Sequence, residues 1–359
     1  MLYTINNKEI KGDSSQRICG LDIIRVVAIF FVIGGHFFSI NTSYRDVSFQ
    51  GVSLFIQGMM NSVFMVGVPL FMMLTGYLNI KKIPTKKYYK GMIRVLVAYL
   101  VFSIATILFR TYYLGEERSI VQWILAILNY SAIPYAWYIE MWIGLALLAP
   151  FLNYLWHAIP NMREKLLLIA SLFVMTALPD LGNRYGMYIF PAYFAQACYP
   201  LMFYFMGTFI REYQPTIKTW LGWGVMLAMA LITPMFNVIF LRGDDVVQIA
   251  GGPGGVFHTW IAVSIFLMLY RRDISVKPIK KWVTHCSMVS LEMYLCCYMF
   301  DQLYYLWFQE RFYESQAQFL PWFLVIVPLC FFSSYLVAAG YSAVSRRLKG
   351  ARRACTKTL

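Results

Sequence analysis

The chain has 359 residues, 60% of them hydrophobic and only 13% charged, with mean hydropathy +0.58. Soluble domains carry about 25% charged residues, so the polar side chains here cannot enclose the apolar ones in a soluble globule, and bilayer lipid must cover much of the surface. The formal charge of +14 would suit a nucleic-acid partner, but it is gathered into alternate loops, which argues for a membrane and against nucleic acid.

Ten segments have the length and apolarity of spans: 20–40, 54–79, 91–113, 136–156, 165–178, 191–210, 219–239, 255–270, 288–306 and 320–342. The weakest is 165–178, whose clean apolar run is short. The run at 120–131 (IVQWILAILNYS) is shorter still and reads as an interfacial or re-entrant helix. The chain is thus expected to be an all-α integral membrane protein with about ten transmembrane helices. If the N-terminus is inside, the inner segments hold 23 lysines and arginines against 5 outside (Arg45, Arg118, Arg184, Arg242 and Arg311). That bias predicts both termini in the cytoplasm. One helical domain, 20–345, follows a cytoplasmic segment 1–19 and precedes a basic cytoplasmic tail, 346–359. The first apolar run has a polar lead and no small-x-small cleavage pattern, so it reads as an anchor and not a signal peptide. The seven cysteines show no CxxC spacing, and neither a disulfide nor a metal site is expected. No internal repeat or inverted pair of broken helices is visible.

Polar groups inside spans need a reason. The first span, GLDIIRVVAIFFVIGGHFFSI, carries Asp22, Arg25 and His36. At about 100° per residue, His36 lies within about 20° of Arg25 and about 40° of Asp22 around the helix. Arg25 and His36 are ~16 Å apart along it at ~1.5 Å per residue. An arginine at the inner end suits an anionic ligand, and a histidine at the outer end suits proton abstraction from a hydroxyl. The bland alternative is an Asp22–Arg25 pair with a histidine reaching for the surface.

Further groups gather toward the outer side. Glu140 starts the fourth span and can bind a hydroxyl or orient an imidazole. His258 follows a glycine-rich turn, and Trp137, Tyr138 and Trp142 can stack on a sugar ring or form an aromatic belt. Asp301 lies near the outer end of the ninth span, where a helix-end contact is the simpler reading. Arg184, Arg242, Asp244 and Asp245 are in nearby loops. Within GVPLFMMLTGYL (67–78), Pro69 can open the backbone ladder, and Thr75 and Tyr77 supply hydroxyls. Glu292, in SLEMYLCC, must be paired, protonated or exposed to a cavity.

Three of these segments together resemble the integral-membrane acyltransferase 3 family, bacterial enzymes that acylate cell-surface sugars. Arg25 and His36 match its arginine–ten residues–histidine signature. GVPLFMMLTGYL is similar to its VPLFF-x-x-SGYL segment, and AWYIEMWIGLALLAPFL (136–152) to its Trp-Tyr-Leu and Leu-x-x-Pro-Phe run. The late segment matches at Ser290, Tyr294 and Leu295, but Cys297 stands where the family has histidine. The resemblance implies transfer of an acyl group, usually acetyl, from cytosolic acyl-CoA to a hydroxyl of a cell-surface or lipid-linked sugar. It implies a multi-pass protein of the bacterial inner membrane, with acyl-CoA as a substrate and no permanently bound cofactor. His36 is then the catalytic histidine, Arg25 holds the donor or the catalytic arrangement, and Arg94 is a further candidate for the donor phosphates. Asp22, Thr75, Tyr77, Trp137, Glu140, His258 and Glu292 remain candidates for acceptor binding or support. A transporter or flippase for a lipid-linked sugar is the alternative, since it too needs polar groups within the membrane.

Overall fold

In the computed structural model the first apolar run folds as α1 (Cys19–Ser39). The structure describes residues 17–41, 51–183, 198–241 and 252–355. Both chain termini, the start of the expected 191–210 span, and Arg45, Arg184, Arg242, Asp244 and Asp245 lie outside them.

The expected span 54–79 is two helices, α2 (Gly51–Phe64) and α3 (Gly67–Asn79). The break falls at Met65–Val66, before Pro69. Pro69 is the third residue of α3, where a backbone N–H has no intrahelical acceptor, so its missing donor opens no ladder. The bond from Leu70 N to Val66 O, at 3.0 Å, already belongs to the new helix.

Next come α4 (Lys86–Tyr112), the short α5 (Ile120–Leu128), α6 (Trp137–Ala158) and α7 (Met162–Asn183). α5 starts with a reciprocal capping box between Ser119 and Gln122. It buries Trp123 and Ala126 while exposing Ile120, Val121, Ile124, Leu125 and Leu128, as a helix lying against lipid would. The chain continues with α8 (Tyr199–Tyr213), α9 (Thr219–Leu241), α10 (Val256–Leu269) and α11 (Lys277–Met288). It ends with α12 (Ser290–Phe312), the single turn α13 (Gln316–Phe319) and α14 (Phe323–Cys355). No strand occurs among the described residues.

Six stretches are long and apolar enough to cross a membrane: Cys19–Phe38, Gly51–Asn79, Lys86–Tyr112, Trp137–Ala158, Thr219–Phe236 and Gln316–Leu348. They coincide with six of the ten expected spans. The other four expectations fall on α7, α8, α10 and α12, which are helical but shorter or more polar. The protein is therefore an all-α multi-pass membrane protein with six spans of full length and apolarity among the described residues.

Burial separates centre from periphery. α1 has 67% of its apolar window buried inside the protein, whereas α4 and α9 have 28% each. α1 packs against α2, α3, α10, α11, α12 and α14. The exposed face of α4 (Ile93, Leu96, Val97, Leu100, Val101, Ile104, Leu108) is left for lipid. Because lipid tails are as apolar as leucine, helix association in a bilayer depends on close packing. α3 and α8 achieve this with paired glycines: a Cβ on Gly76 would run into Tyr204 O, and one on Gly207 into Met73 O.

Candidate active site

The two ends of α1 are built differently. At the first turn, the buried Asp22 carboxylate accepts Arg17 Nε at 2.6 Å on Oδ2 and Arg17 Nη2 at 2.7 Å on Oδ1. Ser287 Oγ of α11 donates to Oδ1 at 2.7 Å, and Thr284 Oγ1 to Oδ2 at 3.4 Å. Arg25 Nη1 donates to Ser287 Oγ at 3.0 Å and stands 3.8 Å from Asp22 Oδ1. Asp22 is thus neutralised chiefly by Arg17, outside the apolar run. Arg25, held through the serine, keeps most of its guanidinium donors.

Arg25 borders a cavity of about 240 Å³. Its wall includes Arg25, Val32, Phe71, Thr75, Tyr138 and Tyr294, so it is mostly apolar with one cationic corner. Arg25 and Val32 are seven residues apart on one face of α1. Val32 lies four residues, ~6 Å along the axis, before His36.

His36 is buried at the far end of that face. Its Nδ1 lies 2.8 Å from Asp301 Oδ2. Where the Asp301 carboxylate only accepts, the ring proton sits on Nδ1 and the lone pair on Nε2. Asn41 Nδ2 donates to the same Oδ2 at 3.3 Å and to the Tyr135 hydroxyl at 3.2 Å. The Tyr135 ring covers the imidazole, with centroids 3.9 Å apart. The Cys297 thiol packs 4.0 Å from Nδ1 but donates to Tyr294 O at 3.1 Å.

Helix periodicity delivers the carboxylate. On α12, Tyr294, Cys297 and Asp301 fall on one face at steps of three and four. That face runs from the cavity wall, at Tyr294, to the imidazole, at Asp301. Tyr294 also donates from its hydroxyl to Tyr135 O. The turn carrying Tyr135 is fixed from behind by Arg110, whose Nη1 donates to Ser131 O at 3.0 Å and Ala132 O at 2.9 Å. The turn begins at Tyr130, whose φ of 57° is left-handed, a conformation that costs a non-glycine residue roughly 1–2 kcal/mol.

The other expected residues are scattered. Thr75 lines the cavity, but its hydroxyl donates to Phe71 O at 2.8 Å. Tyr77 is buried, with its hydroxyl accepting from Arg211 at 3.3 Å. Trp137 and Glu140 are exposed, whereas Tyr138 and Trp142 of the same helix reach the cavity. His258 is buried at the start of α10, outside the cavity wall. Glu292 and Arg94 meet each other: Arg94 Nη2 is 3.7 Å from Glu292 Oε1, with Arg94 65% exposed and Glu292 buried.

Arg17, Asn41, Tyr135 and Ser287 are absent from the residues the sequence singles out, and Asp301 is among its outer-side groups with a helix-end contact as the simpler reading. For Asp301 a signal was available. A carboxylate one and two turns beyond Cys297 and Tyr294, within a span, shares a face with the segment that resembled a family motif. Arg17, Asn41, Tyr135 and Ser287 come from the polar lead, a helix end, a turn and another helix, where no period connects them to α1.

A family model described as an acyltransferase domain, that of acyltransferase 3, matches residues 19–339. The chain belongs to the acyltransferase 3 family. No curated protein and no solved structure matches it. It is a membrane-bound acyltransferase, a multi-pass protein of the bacterial inner membrane, and the stripe on α1 lies within the matched residues.

Proposed function

We propose that this acyltransferase moves an acyl group, acetyl in the first instance, from cytosolic acyl-CoA to a hydroxyl of a cell-surface or lipid-linked sugar. The observation that carries the reading is the polarity of α1, with Arg25 on a cavity at one end and a His36–Asp301 hydrogen bond at the other. The inward bias of lysine and arginine supports cytoplasmic termini, and with them a cytoplasmic Arg25 end. The donor then enters beside Arg25, its phosphates near that guanidinium and near the exposed Arg94. The mostly apolar wall of the cavity suits the thioester arm.

In the proposed reaction His36 acts as general base. Nε2 takes the proton of the acceptor hydroxyl as its oxygen attacks the thioester carbonyl. The tetrahedral intermediate collapses, breaking the C–S bond, and the leaving thiolate of CoA takes the proton from the imidazolium. Asp301, accepting from Nδ1, fixes the tautomer and stabilises the charged ring. Tyr135 excludes water from one face. Thr75 would have to release Phe71 O before it could donate to the oxyanion.

The test is radiolabelled acetyl transfer by the purified protein in liposomes, with acetyl-CoA and a glycan acceptor. His36→Ala should abolish product at unchanged protein level and melting behaviour. Normal transfer by that variant overturns the reading. Titrating a panel of acyl-CoAs and glycans then assigns donor length and acceptor.

A further inference from the structure

The surroundings of His36 contain a donor set that cysteine spacing could not disclose. His36, Cys297 and Asp301 offer a ring nitrogen, a sulfur and a carboxylate oxygen, all within 4.8 Å of one another and all buried. Asp301 Oδ1 is buried without a hydrogen-bond partner, and the Cys330 thiol is a further polar group beside that carboxylate. We propose that these three residues form a binding site for a divalent transition metal of zinc type, and that the ion switches acyl transfer off.

Geometry and charge both point to zinc chemistry. Bond lengths of ~2.0–2.3 Å to nitrogen, oxygen and sulfur imply donor separations of about 3.3–3.7 Å in a tetrahedral site. The observed 2.8 Å between Nδ1 and Oδ2 and 4.0 Å between Nδ1 and Sγ bracket that range. The third separation, between the Cys297 sulfur and the Asp301 carboxylate, lies within 4.8 Å, so closing the site takes a side-chain shift of about 1 Å. A neutral imidazole, one carboxylate and one thiolate cancel a charge of two, which matters in a buried site where uncompensated charge is costly. Thiolate and imidazole disfavour magnesium and calcium, which take oxygen ligands. Three protein ligands leave one position for water or for a displaced Cys330.

Binding the ion releases one proton. Cys297 gives up its thiol proton to solvent when sulfur binds the metal. The imidazole proton, held on Nδ1 by Asp301, moves to Nε2 as Nδ1 takes the metal, so the ring neither gains nor loses one. A neutral imidazole with metal on one nitrogen and hydrogen on the other has no basic lone pair, and its orienting carboxylate is engaged as well. Inhibition rests on the general-base reading of His36; metal binding does not.

The experiment keeps the two apart. Cobalt(II) added to the purified full-length protein in detergent reports thiolate ligation through a sulfur-to-cobalt charge-transfer band. The expectation is one cobalt per chain with that band, bleached by zinc and absent in Cys297→Ser. Cys297→Ala serves in its place if the serine variant does not fold. In the transfer assay zinc should inhibit the wild type, and a chelator should restore it. The cysteine variant should need at least tenfold more zinc for half-inhibition. A folded wild type without the band, or a band that survives loss of Cys297, overturns the site whether or not transfer is observed. Thiolate ligation without inhibition overturns the switch alone.

Discussion

The two ends of α1 use similar residues for opposite purposes. At the Arg25 end the Asp22 carboxylate accepts from Arg17, Ser287 and Thr284, and a second arginine stands by. Every acceptor there is engaged, and what remains free is positive charge facing a cavity. At the His36 end a carboxylate accepts from one imidazole and one amide with the Cys330 thiol beside it, and what remains free is a nitrogen lone pair. A saturated carboxylate holds a cation in place, and an undersubscribed one tunes a base. The chemistry of each end follows from how many donors surround its carboxylate.

The sharpest way to break that contrast is at Asp301. Asp301→Asn keeps the volume but no longer requires the ring proton on Nδ1. A positioned general base contributes about 10²–10⁴-fold, so turnover should fall by roughly 10²-fold or more. The KM for acyl-CoA should stay within about twofold, because Arg25 and the cavity are untouched. Steady-state transfer with the purified variant reads both. Wild-type turnover would reduce Asp301 to a packing residue and erase the difference between the two ends.

How much of this was legible in the sequence depends on periodicity. Asp22, Arg25 and His36 share a face because one helix connects them, and eleven residues return nearly to the starting angle. Apolar length identified the membrane class for the same reason, since it is local. The split of 54–79 was not local: Pro69 drew attention, yet the break lies three residues earlier because α3 simply begins there. Polar residues in α12 lowered its apolarity, and they do so because Glu292 and Asp301 are buried against other helices. Of the α6 residues that residue type singles out, Tyr138 and Trp142 reach the cavity, whereas Trp137 and Glu140, on other faces of the helix, are exposed. Partners supplied across helices, such as Ser287 and Tyr135, leave no periodic trace.

The Arg25 end should respond more mildly and in the other kinetic constant. Arg25→Ala should raise the KM for acyl-CoA by about tenfold, as expected when one charge-assisted hydrogen bond to the donor is removed. Arg25→Lys should recover part of this, because an ammonium lacks the planar fork. Ser287→Ala removes the hydroxyl linking Arg25 to Asp22 and should raise the same KM by about three- to fivefold at nearly constant turnover. Paired donor and acceptor titrations separate these effects. Loss of acceptor affinity with unchanged acyl-CoA dependence would move Arg25 away from the donor.

The smallest effect is expected at a third carboxylate, which serves neither end directly. Glu116, in the turn after α4, accepts Arg110 Nε on Oε1 and Nη2 on Oε2, each at 2.8 Å. Hydrogen bonding to Arg110 holds its carboxyl below the usual range, against a partial desolvation that raises it, with Arg118 adding to the lowering. A depressed folded-state value means that the unfolded chain binds the proton more readily. The pair's contribution is therefore full above the ordinary carboxylate value of about 4.3 and disappears as pH falls through the folded value. Glu116→Gln should lower the melting temperature in detergent at pH 7 by about 2 °C. That difference should shrink toward zero in acid. Transfer should be almost unchanged, because Arg110 keeps its bonds to Ser131 O and Ala132 O and so keeps the turn that presents Tyr135 to His36. A large loss of transfer in Glu116→Gln at intact stability would mean that the His36 end is tuned from as far away as this turn, and that the count of donors around Asp301 alone does not define it.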